Sequence, residues 1–277
     1  MAHQMRIISR SPNLNVMANA AFNAARSLVR DYGEVEHLQV SRKGPGDFVS
    51  TADKKAENSI YKDLKKARPS YGFIMEEAGE LPGEEDYTWH IDPLDGTTNF
   101  LHAIPHFAIS IGLQKGSEMI AGVIYDPIKD ELFYAEKGGG AFLNERRLRV
   151  SARHHLNDAL LGTGIPFASH TTTDRTKFQD SLERVMPYVA GVRRMGAAAL
   201  DMAYVAAGRY EGYWESGINS WDIAAGIVLI QEAGGHVCDL LGQDDPLGTN
   251  SVLATNQALN QSLKGLLLPC YQGDSVK

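Results

Sequence analysis

The run Asp92-Pro93-Leu94-Asp95-Gly96-Thr97-Thr98-Asn99-Phe100 concentrates the residue types that do chemistry. Two carboxylates three residues apart flank Leu94, whose carbonyl can join them as a third oxygen. An all-oxygen set suits a hard cation, Mg²⁺ or Mn²⁺, and suits zinc or copper poorly. Pro93 fixes its own φ and pushes Asp92 towards an extended backbone, while Gly96 permits a close approach that a Cβ would block. Thr97 and Thr98 then stand at a helix start, where unpaired N–H groups and the positive end of the helix dipole attract an anion. A metal site and a phosphate site would adjoin. Read alone, the same aspartates equally suit turn and cap positions, where Asp-Pro and Asp-Gly dipeptides are common.

Further acids lie elsewhere in the chain. Glu76-Glu77 follow a buried apolar run at 71–75 and so arrive at a strand end. Alternation along a strand points Glu77 away from Glu76, which makes Glu77 a supporting residue rather than a direct ligand. Asp53 lies three, seven and eleven positions before Ala56, Ile60 and Leu64, on the inward stripe of a helix over 51–67. A carboxylate on that stripe is unusual. Trp221-Asp222 precedes an apolar-periodic helix and reads both as a hydrophobic staple with an N-cap and as a site acid.

The elements that must position these acids follow from periodicity. Ser11-Pro12 opens an amphipathic helix that runs to Gly33, 41–47 reads as a loop, and Thr51 caps the second helix. Residues 87–91 form a short strand that ends at the aspartate run. Antiparallel strands follow over 107–113, 119–125 and 131–135, with a glycine-rich bend at 138–140. From about residue 156 the pattern becomes strand and helix in alternation: strands at 159–164, 188–195, 210–215 and 251–254, helices at 173–186, 197–207 and 223–233, and a last helix at the end. The expectation is an α/β chain of two lobes, 1–150 and 151–277, around one shared core.

Composition narrows the function. Of the residues, 43% are hydrophobic and 22% charged, as in an ordinary globular protein. The net charge of −7 disfavours non-specific binding to nucleic acid or to an anionic membrane. Cys238 and Cys270 stand in no metal or redox spacing, residues 1–15 contain no apolar stretch of signal-peptide type, and no window approaches a membrane span. A cytoplasmic protein is expected.

In order, Glu76-Glu77, the Asp92–Phe100 run and Trp221-Asp222-Ile223-Ala224-Ala225-Gly226 resemble the inositol monophosphatase family, within it the bacterial inositol-1-monophosphatase branch, over nearly the whole chain. The resemblance implies an α/β/α/β/α sandwich and Mg²⁺-dependent, lithium-sensitive hydrolysis of a small phosphomonoester, with two or three ions bound. It assigns Glu76, Asp92, Asp95 and Asp222 as metal carboxylates beside the Leu94 carbonyl and the Thr97 hydroxyl. Asp53 and Thr97, with Glu76, would orient and activate the attacking water. Gly96 and Thr97 would meet the phosphate, while Gly196, Ala197, Ala198, Glu215, Asp95 and Asp222 would contact the substrate. Lys43 lies near a position where relatives carry a lysine, and a homodimer is implied. Met75 stands where the family usually has glycine, which alters the approach to Glu76 without removing a ligand. Histidinol phosphate, fructose bisphosphate, adenosine 3′,5′-bisphosphate or NADP are alternative substrates of similar folds, and a regulatory protein-binding role is the alternative from another class.

Overall fold

The computed structural model describes residues 11–34, 40–44, 47–166 and 171–272, and of residues 40–44 and 47–50 it describes the backbone alone. Helix α1, Pro12–Tyr32, starts where Ser11 Oγ accepts the Leu14 N–H at 3.1 Å and Pro12 takes the first turn. Strands β1, Val40–Gly44, and β2, Asp47–Ser50, form an antiparallel hairpin where the sequence reads as a loop. The polar and glycine-rich composition of that stretch hides its pairing, because backbone hydrogen bonds leave no mark on side-chain pattern. Helix α2, Thr51–Ala67, begins with Thr51 as its first residue rather than its cap, and it buries Asp53, Ala56, Glu57, Ile60 and Leu64.

Strands β3, Gly72–Met75, β4, Gly79–Leu81, and β5, Tyr87–Asp95, precede the five-residue helix α3, Thr97–Leu101. Strands β6, Ala108–Lys115, β7, Glu118–Asp126, β8, Glu131–Glu136, β9, Gly140–Leu143, and β10, Arg146–Arg147, complete an eight-stranded sheet. Its order is β10-β9-β8-β7-β6-β5-β3-β4, antiparallel except for the β3–β5 pair. Strand β5 runs through Asp95 instead of ending at residue 91. Its register against β6 breaks between Asp92 and Asp95, where Pro93 has no N–H to give, and pairing resumes at Asp95 opposite Ala108.

The second half adds β11, Leu160–Thr163, α4, Thr172–Val185, β12, Gly191–Arg193, α5, Ala198–Ala206, β13, Gly212–Ser216, α6, Ser220–Glu232, β14, His236–Cys238, α7, Pro246–Thr249, β15, Ser251–Thr255, and α8, Asn260–Tyr271. The five strands order as β12-β11-β13-β15-β14, with β11 parallel to both its neighbours. The predicted strand over 188–195 shrinks to three residues because Met186–Tyr188 closes a 3₁₀ turn first. Helix α6 starts three residues before the predicted 223, so Asn219 takes the cap position and Asp222 lies in the first turn.

Helices α1 and α2 cover one face of the large sheet through Leu14, Met17, Leu28, Ile60 and Leu64. Helices α5 and α6 fill the space between the two sheets, and their Leu200, Ile223, Leu229 and Ile230 share one cluster with Phe133 of the first sheet and Val252 of the second. Helices α4 and α8 pack together on the outer side of the second sheet, where Val185, Trp214 and Leu263 meet. The layers are therefore α/β/α/β/α, as the resemblance implies. Glycine lets α6 lie close on the first sheet: a Cβ on Gly122 would stand 2.5 Å from the Ala225 carbonyl oxygen.

Candidate active site

The acids converge because three elements end at one place. Strands β3 and β5 are parallel neighbours, so their C-terminal ends lie side by side, and the Glu76 N–H donates to the Ile91 carbonyl at 3.2 Å. That bond sets Glu76 next to Asp92. Helix α6 brings Asp222 from the layer between the sheets. There the charges of Glu76, Asp95 and Asp222 all act on the Asp92 carboxyl.

Each aspartate is held by backbone. Asp92 Oδ1 accepts the Leu94 N–H at 2.9 Å, a tight loop across Pro93. Asp95 accepts from Ala198 at 3.1 Å and from Ala199 at 2.8 Å, so its carboxylate caps the start of α5. Asp222 Oδ2 accepts the Asn219 N–H at 2.8 Å, closing the first turn of α6. The turn and cap reading of these acids holds for all three.

Burial and mutual repulsion fix their electrostatics. Burial pushes the Asp92 carboxyl well above its ordinary range, and the neighbouring Glu76, Asp95 and Asp222 push it further. Asp95 is raised to about 7, chiefly by burial and against the pull of its two backbone N–H donors. Asp222 is raised to about 8 by burial and by the charge of Asp95. Glu215, at the end of β13, is raised to about 7 by burial despite a short hydrogen bond from the Tyr213 hydroxyl. Carboxylates crowded around the buried Asp92 and Asp95 call for a cation. Among the described residues, no three His, Cys, Asp or Glu side chains are already drawn together tightly enough to hold one. The donor chemistry fits a hard divalent ion all the same: the acids adjoin, their donors are all oxygen, and Asp92, Asp95 and Asp222 resist ionisation without a counter-charge.

Asp53 is fully buried, as its place on the inward stripe requires, and its Oδ1 accepts the Thr97 hydroxyl at 3.1 Å. The same Thr97 Oγ1 lies 3.0 Å from the Leu94 carbonyl. One hydroxyl proton serves two acceptors, so giving it to Asp53 frees the Leu94 oxygen for another partner. Gly96 takes φ +92°, and a Cβ there would stand 3.0 Å from the His106 carbonyl, so no other residue fits without strain. Glu77 donates its backbone N–H to Glu57 Oε2 at 2.8 Å, which makes it a neighbour of α2. The Lys43 side chain lies outside the described residues.

On the other side of the quartet, Gly196 takes φ +81° and Ala197 is buried. Any contact from Ala197 therefore comes from its backbone, and the Ala198 N–H already serves Asp95. Two residues went unmarked in the sequence. Asn99 gives its side-chain N–H groups to the carbonyls of His106 and Met195, each at 2.8 Å, and so ties α3 to the Gly196 segment. Its place inside the aspartate run was the available signal. Asp201, 2% exposed in α5, feels the charges of Glu215 and Asp95 and is raised well above its ordinary range by burial. Nothing in its spacing separates it from a core position of that helix.

Two sheets with helices between and outside them, and acids gathered at the ends of β3, β5 and the start of α6, define a layered α/β protein with an acidic site; comparison with known proteins, among them inositol-1-monophosphatases 52–55% identical to this chain, makes it a phosphoric monoester hydrolase and supplies its family. The profile of the inositol monophosphatase family matches residues 10–270, and the chain belongs to that family. An inositol-1-monophosphatase from Mesorhizobium japonicum is 55% identical over 257 residues, covering 92% of this chain and 96% of the relative. A protein named Nus factor SuhB from Pseudomonas aeruginosa is 42% identical over 261 residues, covering 93% and 97%. The crystal structure of the extragenic suppressor protein suhB from Bartonella henselae superposes with a TM-score of 0.89 at 50% identity, covering 96% of this chain and all of the other.

Proposed function

We propose that the protein hydrolyses myo-inositol 1-phosphate, or a close small-alcohol phosphate, to the alcohol and inorganic phosphate with Mg²⁺ as cofactor. The observation that carries the proposal is the gathering of Glu76, Asp95 and Asp222 around the buried Asp92, each close enough for its charge to act on that carboxyl. Glu76, Asp92, Asp95, Asp222 and the Leu94 carbonyl would hold two or three ions, with Mn²⁺ able to replace Mg²⁺. Bound there, divalent ions lower the pKa of water and neutralise charge on the phosphoryl oxygens.

The rest of the work falls to the chain. Thr97, whose hydroxyl donates to Asp53, presents oxygen lone pairs that orient the attacking water, and Glu76 and Asp53 supply the basic side of that site. Water attacks phosphorus as the ester P–O bond breaks; the proton the attacking water gives up on the basic side balances the one the leaving alkoxide takes, so the products are the alcohol and inorganic phosphate. Gly96 and the first N–H groups of α3 meet the phosphate. Glu215, Gly196, Ala197, Ala198 and Asp222 face the alcohol and choose it. Both lobes, 1–150 and 151–277, are needed, since the acids come from each. No described helix is long and apolar enough to cross a membrane. A cytoplasmic homodimer that binds no nucleic acid completes the reading.

A panel of inositol 1-phosphate, histidinol phosphate, fructose bisphosphate, adenosine 3′,5′-bisphosphate and NADP, assayed with Mg²⁺ and with chelator, tests it. Inositol 1-phosphate should give the highest kcat/KM and chelator should abolish turnover. A nucleotide bisphosphate turned over well with poor turnover of inositol 1-phosphate would overturn the substrate. The relative named Nus factor SuhB raises a second reading, in which the same fold also acts through a protein partner. An inactive Asp95→Asn variant that still sustains the chain's cellular role would favour that reading.

A further inference from the structure

His90 joins the strand and the helix that carry the acids, and the proposed chemistry leaves it without a role. It lies on β5, 2% exposed, two residues before Asp92 and on the same face of the strand. Its Nε2 stands 2.6 Å from Gln114 Oε1 on β6, and its Nδ1 stands 3.1 Å from Ser220 Oγ at the start of α6. The partners fix the protons. Gln114 gives an amide N–H to the Gly116 carbonyl at 2.9 Å, so the atom it turns to the imidazole is its oxygen, which can only accept. Nε2 therefore carries the ring hydrogen, and Nδ1 of the neutral ring accepts the Ser220 hydroxyl. The chain Ser220–His90–Gln114–Gly116 has one direction throughout. A second strut runs beside it, from the Ser110 hydroxyl on β6 to the Trp221 carbonyl at 3.3 Å.

These bonds end one and two residues before Asp222. The carboxyl groups of Asp92 and Asp222 resist being close, whereas a cation between them requires it. We infer that His90 is a positioning residue, which through Ser220 holds the first turn of α6 against β5 and so sets the affinity of the acid cluster for a divalent cation. The inference rests on the reading of Asp92 and Asp222 as metal ligands. Groups that orient metal ligands without touching the metal commonly govern affinity by about 10–100-fold.

The test is a titration of Mn²⁺ into the metal-free full-length protein, with free Mn²⁺ read by electron paramagnetic resonance and the melting temperature taken in parallel. Ser220→Ala and His90→Phe should each weaken Mn²⁺ binding by roughly tenfold, and the double variant should lose little more than either alone. Ser220→Thr, which keeps the hydroxyl, should bind close to the unsubstituted protein. Unchanged affinity in Ser220→Ala, with or without a lower melting temperature, would make the chain a structural strut only and overturn the inference. If His90→Phe does not fold, the Ser220 pair decides. A protein that binds no Mn²⁺ before any substitution sinks the metal reading and this inference together, which separates that failure from the first.

Discussion

Asp95 and Asp222 stand in one crowd of acids, and each answers its burial in the same way, by accepting backbone N–H bonds from the start of a helix. Those bonds favour the charged form, but burial outweighs them, so the carboxyls are raised to about 7 and about 8. An amide in place of Asp222 keeps the size and one acceptor and removes only the charge. Asp222→Asn should therefore lower Mg²⁺-dependent turnover by more than roughly a hundredfold while the circular dichroism spectrum stays unchanged. Turnover near that of the unsubstituted protein would rule Asp222 out as a ligand. Asp95→Asn should do the same to turnover, with an added cost of about 1 kcal/mol to stability, because one oxygen that caps α5 becomes a donor facing a donor.

Helix α6 links the layers. It presses on the first sheet at Gly112 and Gly122 and reaches Gly138 and Gly140 through Glu232, whose two oxygens accept their N–H groups at 2.7 Å each. The glycines of β6 and β7 look like weak strand formers in sequence, and the structure gives the reason: added methyl groups would meet Ala224 and the backbone of Ala225. Gly122→Ala has no flexible side chain to push aside. It should lower stability by about 1–3 kcal/mol, read in a urea melt, and should weaken Mg²⁺ binding because α6 carries Asp222. A stable Gly122→Ala protein with native Mg²⁺ affinity would mean that α6 can shift on the sheet without disturbing the acids.

For the whole molecule, the raised carboxyls make stability depend on pH and on metal. In the unfolded chain Asp titrates near 3.9, whereas folded Asp95 and Asp222 hold their protons to about 7 and about 8. Between these limits the folded state binds more protons, so stability is greatest at low pH within the window and falls as pH rises through it. The melting temperature of chelated protein should drop between about pH 5 and about pH 8. Added Mg²⁺ should raise it, and more so at the higher pH, since the ion takes the place of the protons. A chelated protein whose melting temperature is flat or rising across that window would contradict the buried, unneutralised cluster.

The sequence by itself determined the helices and most of the strands, because hydrophobic period and capping residues are local: Ser11-Pro12 opens α1, and the stripe of α2 places Asp53 inward. It also singled out Glu76, the aspartate run and Trp221-Asp222 as a candidate site, since they occur in a specific order. The hairpin at 40–50, the continuation of β5 through Asp95 and the true start of α6 were not legible there, because backbone pairing and cap geometry depend on partners distant in the chain. The same holds for His90, Asn99 and Asp201, whose partners lie from 24 to 130 residues away or on other elements. Tertiary structure alone decided how deeply the carboxylates are buried and how near to one another they stand, and with that their protonation. Burial and repulsion are properties of space, and a sequence records only order.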